Sequence, residues 1–402
     1  MARNITVGID IGTYQVKIAV AEQIKGENGN EPKIIGAGIS ESRGLRHGYI
    51  INSSDVVKSI RQAVSQAEKT SGQKIRRAFL SIGGIGLSSI TSTGTVIISR
   101  GDSEITDLDL SKALEASEKE IPAPMILNRK IVHAVPVQYK LDGKVVLGQP
   151  LGMKGTKLEV KTLFITCLER HLNDLMQAIE EAGVEVIDVM ASPLAAGLVT
   201  LTKTQKIAGC VLANIGAETV SIIVYENNLP VSLEVFPTGS TDITNDIALG
   251  LKVALDEAEH IKLGAVTTTT YPRKKLEEII GARLQDIFEL IEAHLKKIGR
   301  DGLLPAGIVI TGGGGSLNFS GGIGGIENLA KHALRLPSRV ASIYLGEDGK
   351  SNIKDSSWSV AFGLCIFGLN ADKDGMISGD LFRSFIKNIF KKVRSFLTQF
   401  LP

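Results

Sequence analysis

Two stretches about two hundred residues apart carry the same pattern of strand, glycine turn and strand, and no other feature constrains the fold as much. The first runs Val7-Gly8-Ile9-Asp10-Ile11-Gly12-Thr13-Tyr14-Gln15-Val16-Lys17-Ile18-Ala19-Val20, the second Val211-Leu212-Ala213-Asn214-Ile215-Gly216-Ala217-Glu218-Thr219-Val220-Ser221-Ile222-Ile223-Val224. Laid over one another without a gap, they agree at Val7/Val211, Ile11/Ile215, Gly12/Gly216, Val16/Val220, Ile18/Ile222 and Val20/Val224. The agreement points to a duplicated half. A glycine at such a bend turns the backbone sharply and leaves amide N–H groups uncovered, which suits an anion such as phosphate. Alternating apolar residues around a glycine also describe an ordinary β-hairpin, so neither copy decides the matter alone.

A third element adds weight. Gly307-Ile308-Val309-Ile310-Thr311 reads as a buried strand that runs into Gly312, Gly313, Gly314, Gly315 and Ser316. Four successive glycines exceed what one tight turn needs, and they clear side chains from a surface that a flat group can approach. The bland alternative is a flexible glycine loop.

At 402 residues the chain is too long for one ordinary core. Hydrophobic content of 43% with 22% charged residues is that of a folded globular protein, and a formal net charge of +2 argues against a strongly basic nucleic-acid binder. Cys167, Cys210 and Cys365 lie far apart without metal spacing and read as small core residues. No signal peptide fits before the first strand, and no apolar run spans a bilayer, so the expected location is cytosolic.

Along the chain, Ile34–Ile39 reads as a third strand, Ser53-Ser54-Asp55 as the cap of a helix running to about Ser71 and ended by Gly72, and Phe79–Ile82 as another strand. From 83 to 166 the texture changes to an α+β block of strands near 90–98, 131–139 and 158–165 and a capped helix over 106–119, which reads as an insertion. Helices are expected over 169–182, 193–201, 242–263, 275–298 and 356–369, with a strand over 184–191. Glu259 and Lys262, three apart on a helix, fit a solvated surface pair.

The last two dozen residues differ from the rest. Leu381, Phe382, Phe385, Ile386, Ile389, Phe390, Val393, Phe396, Leu397, Phe400 and Leu401 recur at helical intervals, with Arg383, Lys387, Lys391, Lys392 and Arg394 between them and Asp380 the lone acid. A helix with aromatics on one face and cations on the other suits an anionic membrane surface, each cation contributing roughly 1 kcal/mol. The competing reading is a helix docked on a core or a partner.

In order, Asp10-Ile11-Gly12-Thr13, Asn214-Ile215-Gly216-Ala217-Glu218-Thr219 and Thr311-Gly312-Gly313-Gly314 resemble the two phosphate segments and the adenosine segment of the actin/Hsp70/sugar-kinase superfamily. Within it the chain resembles the FtsA family of bacterial cell division proteins over nearly its whole length. The stretches Glu41-Ser42-Arg43-Gly44-Leu45-Arg46-His47-Gly48, Glu104-Ile105-Thr106-Asp107 and Val132-His133-Ala134-Val135-Pro136-Val137-Gln138-Tyr139 and the basic terminal helix carry that likeness.

The resemblance implies an α/β, two-lobed actin-like (duplicated RNase H-like) fold with an inserted α+β 1C subdomain. Its parts are expected as 1A over 1–82, 1C over 83–166, 1A again over 167–206, 2A over 207–241, 2B over 242–303 and 2A over 304–352. A helix returning to 1A over 353–369, a linker over 370–379 and a membrane-targeting helix over 380–402 complete it. The implied function is an ATP-binding protein that polymerises beneath the cytoplasmic membrane, tethers FtsZ and recruits other division proteins at the septum.

Carried over by position, Asp10 organises a hydrated Mg²⁺, and Gly12, Thr13, Tyr14, Gln15, Asn214, Gly216, Ala217, Glu218 and Thr219 surround the phosphates. Gly239 lies near the ribose, Glu259 and Lys262 approach ribose and adenine, and Gly312, Gly313, Gly314 and Gly315 flank the base. Two positions depart from the pattern: Asn214 replaces an aspartate, and Ser192-Pro193 occupies a region where related filament proteins carry a glutamate. Little is left to position a nucleophile, so turnover is expected to be very slow. The alternatives are a PilM-like pilus-assembly protein, which Ile215-Gly216-Ala217-Glu218 also fits, and a small-molecule kinase, which would need a carboxylate base that no motif places.

Overall fold

The structure is a computed structural model describing residues 4–26, 29–265, 270–317, 325–345, 351–353 and 355–373. The whole basic tail, 380–402, and most of the loop at 316–325 lie outside the described residues.

The first lobe opens with the strands β1 (Ile5–Ile11), β2 (Gln15–Gly26) and β3 (Gly29–Glu41), followed by a small hairpin of β4 (Leu45–Arg46) and β5 (Tyr49–Ile50). Helix α1 (Ser53–Ser71) then leads to β6 (Arg77–Ile82). Val56, Val57, Ile60, Ala63, Val64 and Ala67 fall at helical spacing and bury one face of α1, each larger side chain contributing roughly 1.5–3 kcal/mol. The cap comes one residue before the serines: Asn52 accepts from the Asp55 amide, while Gly72, at a φ of 67°, closes the other end.

The insertion comprises β7 (Ser88–Ile97), α2 (Asp107–Lys119), α3 (Ala123–Ile126), β8 (Arg129–Leu141), β9 (Lys144–Val146) and β10 (Lys157–Leu168). Its sheet has the order β7-β10-β8-β9. Helix α2 lies so close over it that a Cβ on Gly94 would meet the Ala113 carbonyl at 2.2 Å. The chain returns through α4 (Glu169–Glu181), β11 (Glu185–Ala191), α5 (Ser192–Thr200) and α6 (Lys203–Ala208).

The second lobe repeats the first. It holds β12 (Cys210–Ile215), β13 (Val220–Glu226), β14 (Leu229–Phe236), α7 (Ser240–Leu251), α8 (Leu255–Lys262) and α9 (Arg273–Lys297). Then come β15 (Ile308–Thr311), α10 (Gly325–Leu334), β16 (Ser338–Val340), the pair β17 (Ile343–Leu345) and β18 (Ser351–Ile353), and α11 (Ser359–Lys373). The central sheets have the orders β3-β2-β1-β6-β11 and β14-β13-β12-β15-β16. In each, an antiparallel meander is followed by two parallel strands, so the duplication read from two hairpins extends to five strands per lobe. This is the two-lobed actin-like fold.

Two expectations change. The helical stretch over 242–263 is two helices, because Lys252 takes a left-handed conformation at a φ of 58° and breaks the hydrogen-bond ladder. The last helix begins after a 3-10 turn at Ser356–Trp358 and continues to Lys373, four residues into the expected linker. It returns to the first lobe, where it lies on β1 at Gly8 and crosses α5 at Gly363; a Cβ at either glycine would clash with a backbone carbonyl.

Candidate functional site

The two glycine turns are built alike. β1 and β2 are in register up to Ile11 opposite Val16, and β12 and β13 up to Ile215 opposite Val220, leaving four residues in each turn. The Gly12 amide donates to the Gln15 carbonyl at 3.1 Å and the Gly216 amide to the Thr219 carbonyl at 2.8 Å. The amides of Thr13, Tyr14, Ala217 and Glu218 enter no backbone hydrogen bond in these turns. Both turns open on one interlobe cavity of about 510 Å³, which also reaches Gly312 and Gly313 after β15.

At its inner end, Asp10 and Lys17 face each other across the β1–β2 pair. Ser81 on β6 donates to the Asp10 carboxylate at 2.8 Å. Burial holds the Asp10 carboxyl above the usual carboxylate range, opposed by the Ser81 bond and the Lys17 charge, while burial lowers Lys17. In the second lobe the corresponding cross-strand pair is Asn214 and Ser221, which is neutral. One half of a duplicated site therefore carries charge that the other lacks.

The opposite end is polar and tightly bonded. Lys262 is only 6% exposed and donates to Glu259 at 2.6 Å, to the Thr244 hydroxyl at 2.8 Å and to the Ser240 carbonyl at 3.2 Å. Thr244 donates to Glu259 in turn. A lysine this buried costs free energy unless its donors are satisfied, so the pair is not a solvated surface pair. Helices α7 and α8 bring these groups together, and the break at Lys252 sets the angle between them.

Of the residues singled out from sequence, Asp10, Gly12, Thr13, Tyr14, Gln15, Asn214, Gly216, Ala217, Thr219, Glu259, Lys262, Gly312 and Gly313 line this one cavity. Glu218, Gly239, Gly314 and Gly315 do not. Glu218 points from the second turn to His47 instead. Gly239 sits where a Cβ would meet the Ala217 carbonyl at 2.3 Å, and Gly314 packs on Ile215 and Gly315 on Ile310. These three permit close packing beneath the cleft. Ser192, noted above for the glutamate it replaces, lines the cavity as well, and Lys17, Ser81, Thr244 and Ser357 line it and were missed. For Lys17 a signal existed, since it breaks the apolar run from Val16 to Ala21, which is otherwise fully buried.

The donor set fits a polyphosphate and a flat base. The turns offer uncovered amides from both lobes, a buried ammonium stands behind one of them, and Gly313 has no heavy atom within 4 Å of where a Cβ would be. Among the described residues no group of three or more His, Cys, Asp or Glu could cage a metal. Among the described residues Asp10 is the one carboxylate lining the phosphate end, which suits an ion such as Mg²⁺ that keeps most of its waters.

A family profile described as cell division protein FtsA matches residues 211–363, and one described as the SHS2 domain inserted in FtsA matches 84–166. The cell division protein FtsA of Pseudomonas aeruginosa is 30% identical, the alignment covering 94% of this chain and 93% of that protein. Its counterpart in Bacillus subtilis is 31% identical over 90% and 82%, and that of Borreliella burgdorferi 32% over 91% of each. Among solved structures, the PilM–PilN type IV pilus biogenesis complex superposes with a TM-score of 0.63 at 16% identity, covering 90% of this chain and 98% of that one. MreB5 of Spiroplasma citri bound to AMPPNP gives 0.52 at 14%, covering 92% and 97%.

Proposed function

This chain belongs to the FtsA family of cell division proteins, and from that premise we propose that it is an ATP-binding, membrane-attached scaffold that holds FtsZ filaments at the division site. One observation carries the reading: turns from both halves of a duplicated fold and the glycine loop after β15 share a single cavity. ATP lies across it, with its phosphates between the Gly12–Gln15 and Gly216–Thr219 turns and its base beside Gly312 and Gly313. Asp10 would hold Mg²⁺ through water, and Glu259 and Lys262 would meet the ribose and adenine.

The ion supplies charge neutralisation on the phosphates; the chain supplies position. Hydrolysis is slow at best. Asn214 and Ser192 line the cleft where a carboxylate would orient an attacking water, and positioning provides most of the rate in phosphoryl transfer. Nucleotide binding then serves to draw the lobes together and favour a filament of copies of this chain.

Among the described residues no helix is long and apolar enough to cross a membrane. Attachment falls to the cationic amphipathic stretch at 380–402, whose sequence supports reversible binding to anionic lipid. The likeness to PilM extends to the fold alone.

Flotation of the full chain on anionic liposomes, with FtsZ, with or without ATP, tests the reading. FtsZ should float only with the intact chain, and removal of residues 380–402 should leave both proteins in the dense fraction. Failure of the intact chain to float, or of ATP to be retained in equilibrium dialysis, would overturn it.

A further inference from the structure

Lys17 joins the phosphate end of the cleft to the start of α11. Its ammonium lines the cleft within the pair Asp10 and Lys17, yet it donates to the Ser357 carbonyl at 3.0 Å and lies 5.6 Å from the centre of the Trp358 ring. Ser357 and Trp358 form the 3-10 turn from which α11 starts. Trp358 in turn stacks on Phe362 one helical turn later, at 5.6 Å and 19°. The side chain is 9% exposed, and its charge is balanced at a distance by Asp10 and Asp355.

We infer that Lys17 is a phosphate-responsive cation that leaves Ser357 and Trp358 for an incoming phosphate, so that occupancy of the cleft is transmitted to the first turn of α11. The inference rests on the nucleotide reading of the cleft. Its energetics follow from charge. The Ser357 carbonyl and the Trp358 ring face offer the ammonium only a dipole and a quadrupole, whereas a phosphate oxygen offers a full opposite charge, the ion pairing that makes the strongest hydrogen bonds. Within a half-enclosed cleft the stronger partner prevails. What changes hands is a contact on the helix through which the chain passes into residues 374–402.

Trp358 is the chain's single tryptophan and reports the event directly. Emission of the full chain is measured with ATP·Mg²⁺, ADP or adenosine at concentrations that saturate binding by dialysis. ATP and ADP should alter the emission and adenosine should not. Lys17→Met should abolish the response at saturating ATP, and Lys17→Arg should restore it, while thermal unfolding checks that each variant is folded. ATP binding with unchanged emission, or a response to adenosine equal to that of ADP, overturns the inference while leaving the nucleotide site standing. Failure to bind ATP at all overturns both.

Discussion

His47 and Glu218 fasten the two lobes to each other beside the phosphate turns. The His47 amide donates to the Glu218 carboxylate, and the His47 Nδ1 lies 3.1 Å from the Glu218 carbonyl. His47 is at the tip of the β4–β5 hairpin with a φ of 48°, and the adjoining Gly48 touches Gly84 at the entrance to the insertion. One hairpin tip thus contacts the second lobe's phosphate turn and the root of the inserted domain.

Glu218→Ala should therefore weaken ATP binding without unfolding the chain. Loss of a hydrogen bond to a charged acceptor costs roughly 1.5–3 kcal/mol, part of which appears as a cleft that closes less readily. The expected Kd rises about tenfold, and Glu218→Gln, which keeps an acceptor oxygen, stays within about threefold. Equal affinity for wild type and Glu218→Ala in equilibrium dialysis would show that the bridge does not govern closure.

Two glycines separate packing from binding. At Gly363 a Cβ would sit 1.9 Å from the Ala195 carbonyl, where α11 crosses α5, and a backbone cannot yield there without moving a helix. Gly363→Ala should cost roughly 1–3 kcal/mol by overpacking, seen as a lower denaturant midpoint. Gly313→Ala meets nothing within 4 Å and should leave that midpoint unchanged, while an added methyl group at this cleft-lining position should lower ATP affinity. The opposite ranking would reverse the assignment of the two positions.

His294 gives the second lobe an acid-sensitive element. It is buried on α9, bonded to the Ser232 hydroxyl at 2.8 Å, near Glu234 and edge-on to Phe236. Burial, with Lys297 adding to it, lowers its pKa from 6.5 to about 4. The unfolded chain then binds a proton that the folded chain refuses, so stability is complete above pH 6.5 and falls as pH drops toward 4. The loss is on the order of 3 kcal/mol, and His294→Gln should flatten that part of the stability profile. An unchanged slope in the variant would remove His294 as its source.

Legibility in the sequence followed the range of the interactions involved. The paired hairpins could be read because glycine and strand alternation are local, and α1 because its stripe and terminal glycine are. The break at Lys252 was hidden, since a lysine in a left-handed conformation carries no compositional sign. Lys17 was half legible: its place in an apolar run marked it as unusual, but its partner on the turn before α11, some 340 residues later, carried no local sign. Gly239, Gly314 and Gly315 were read as ligand glycines, yet their bareness serves contacts with Ala217, Ile215 and Ile310 that sequence spacing does not reveal.

Asp10 should display a trade between stability and metal-dependent binding. Its carboxyl is held above the usual range by burial, so at neutral pH the folded chain maintains an anion that would be better solvated in the unfolded state. The Lys17 charge and the Ser81 bond lessen that penalty without removing it. Asp10→Asn is neutral at every pH and close in shape, so the variant without nucleotide should unfold at a higher temperature than wild type. The same change removes the one carboxylate at the phosphate end of the cleft. Wild type should bind ATP more tightly with Mg²⁺ than in its absence, and the variant should bind it equally in both. A variant that is less stable, or that keeps the full effect of Mg²⁺, would mean that the buried anion is maintained for packing and that the metal is held elsewhere.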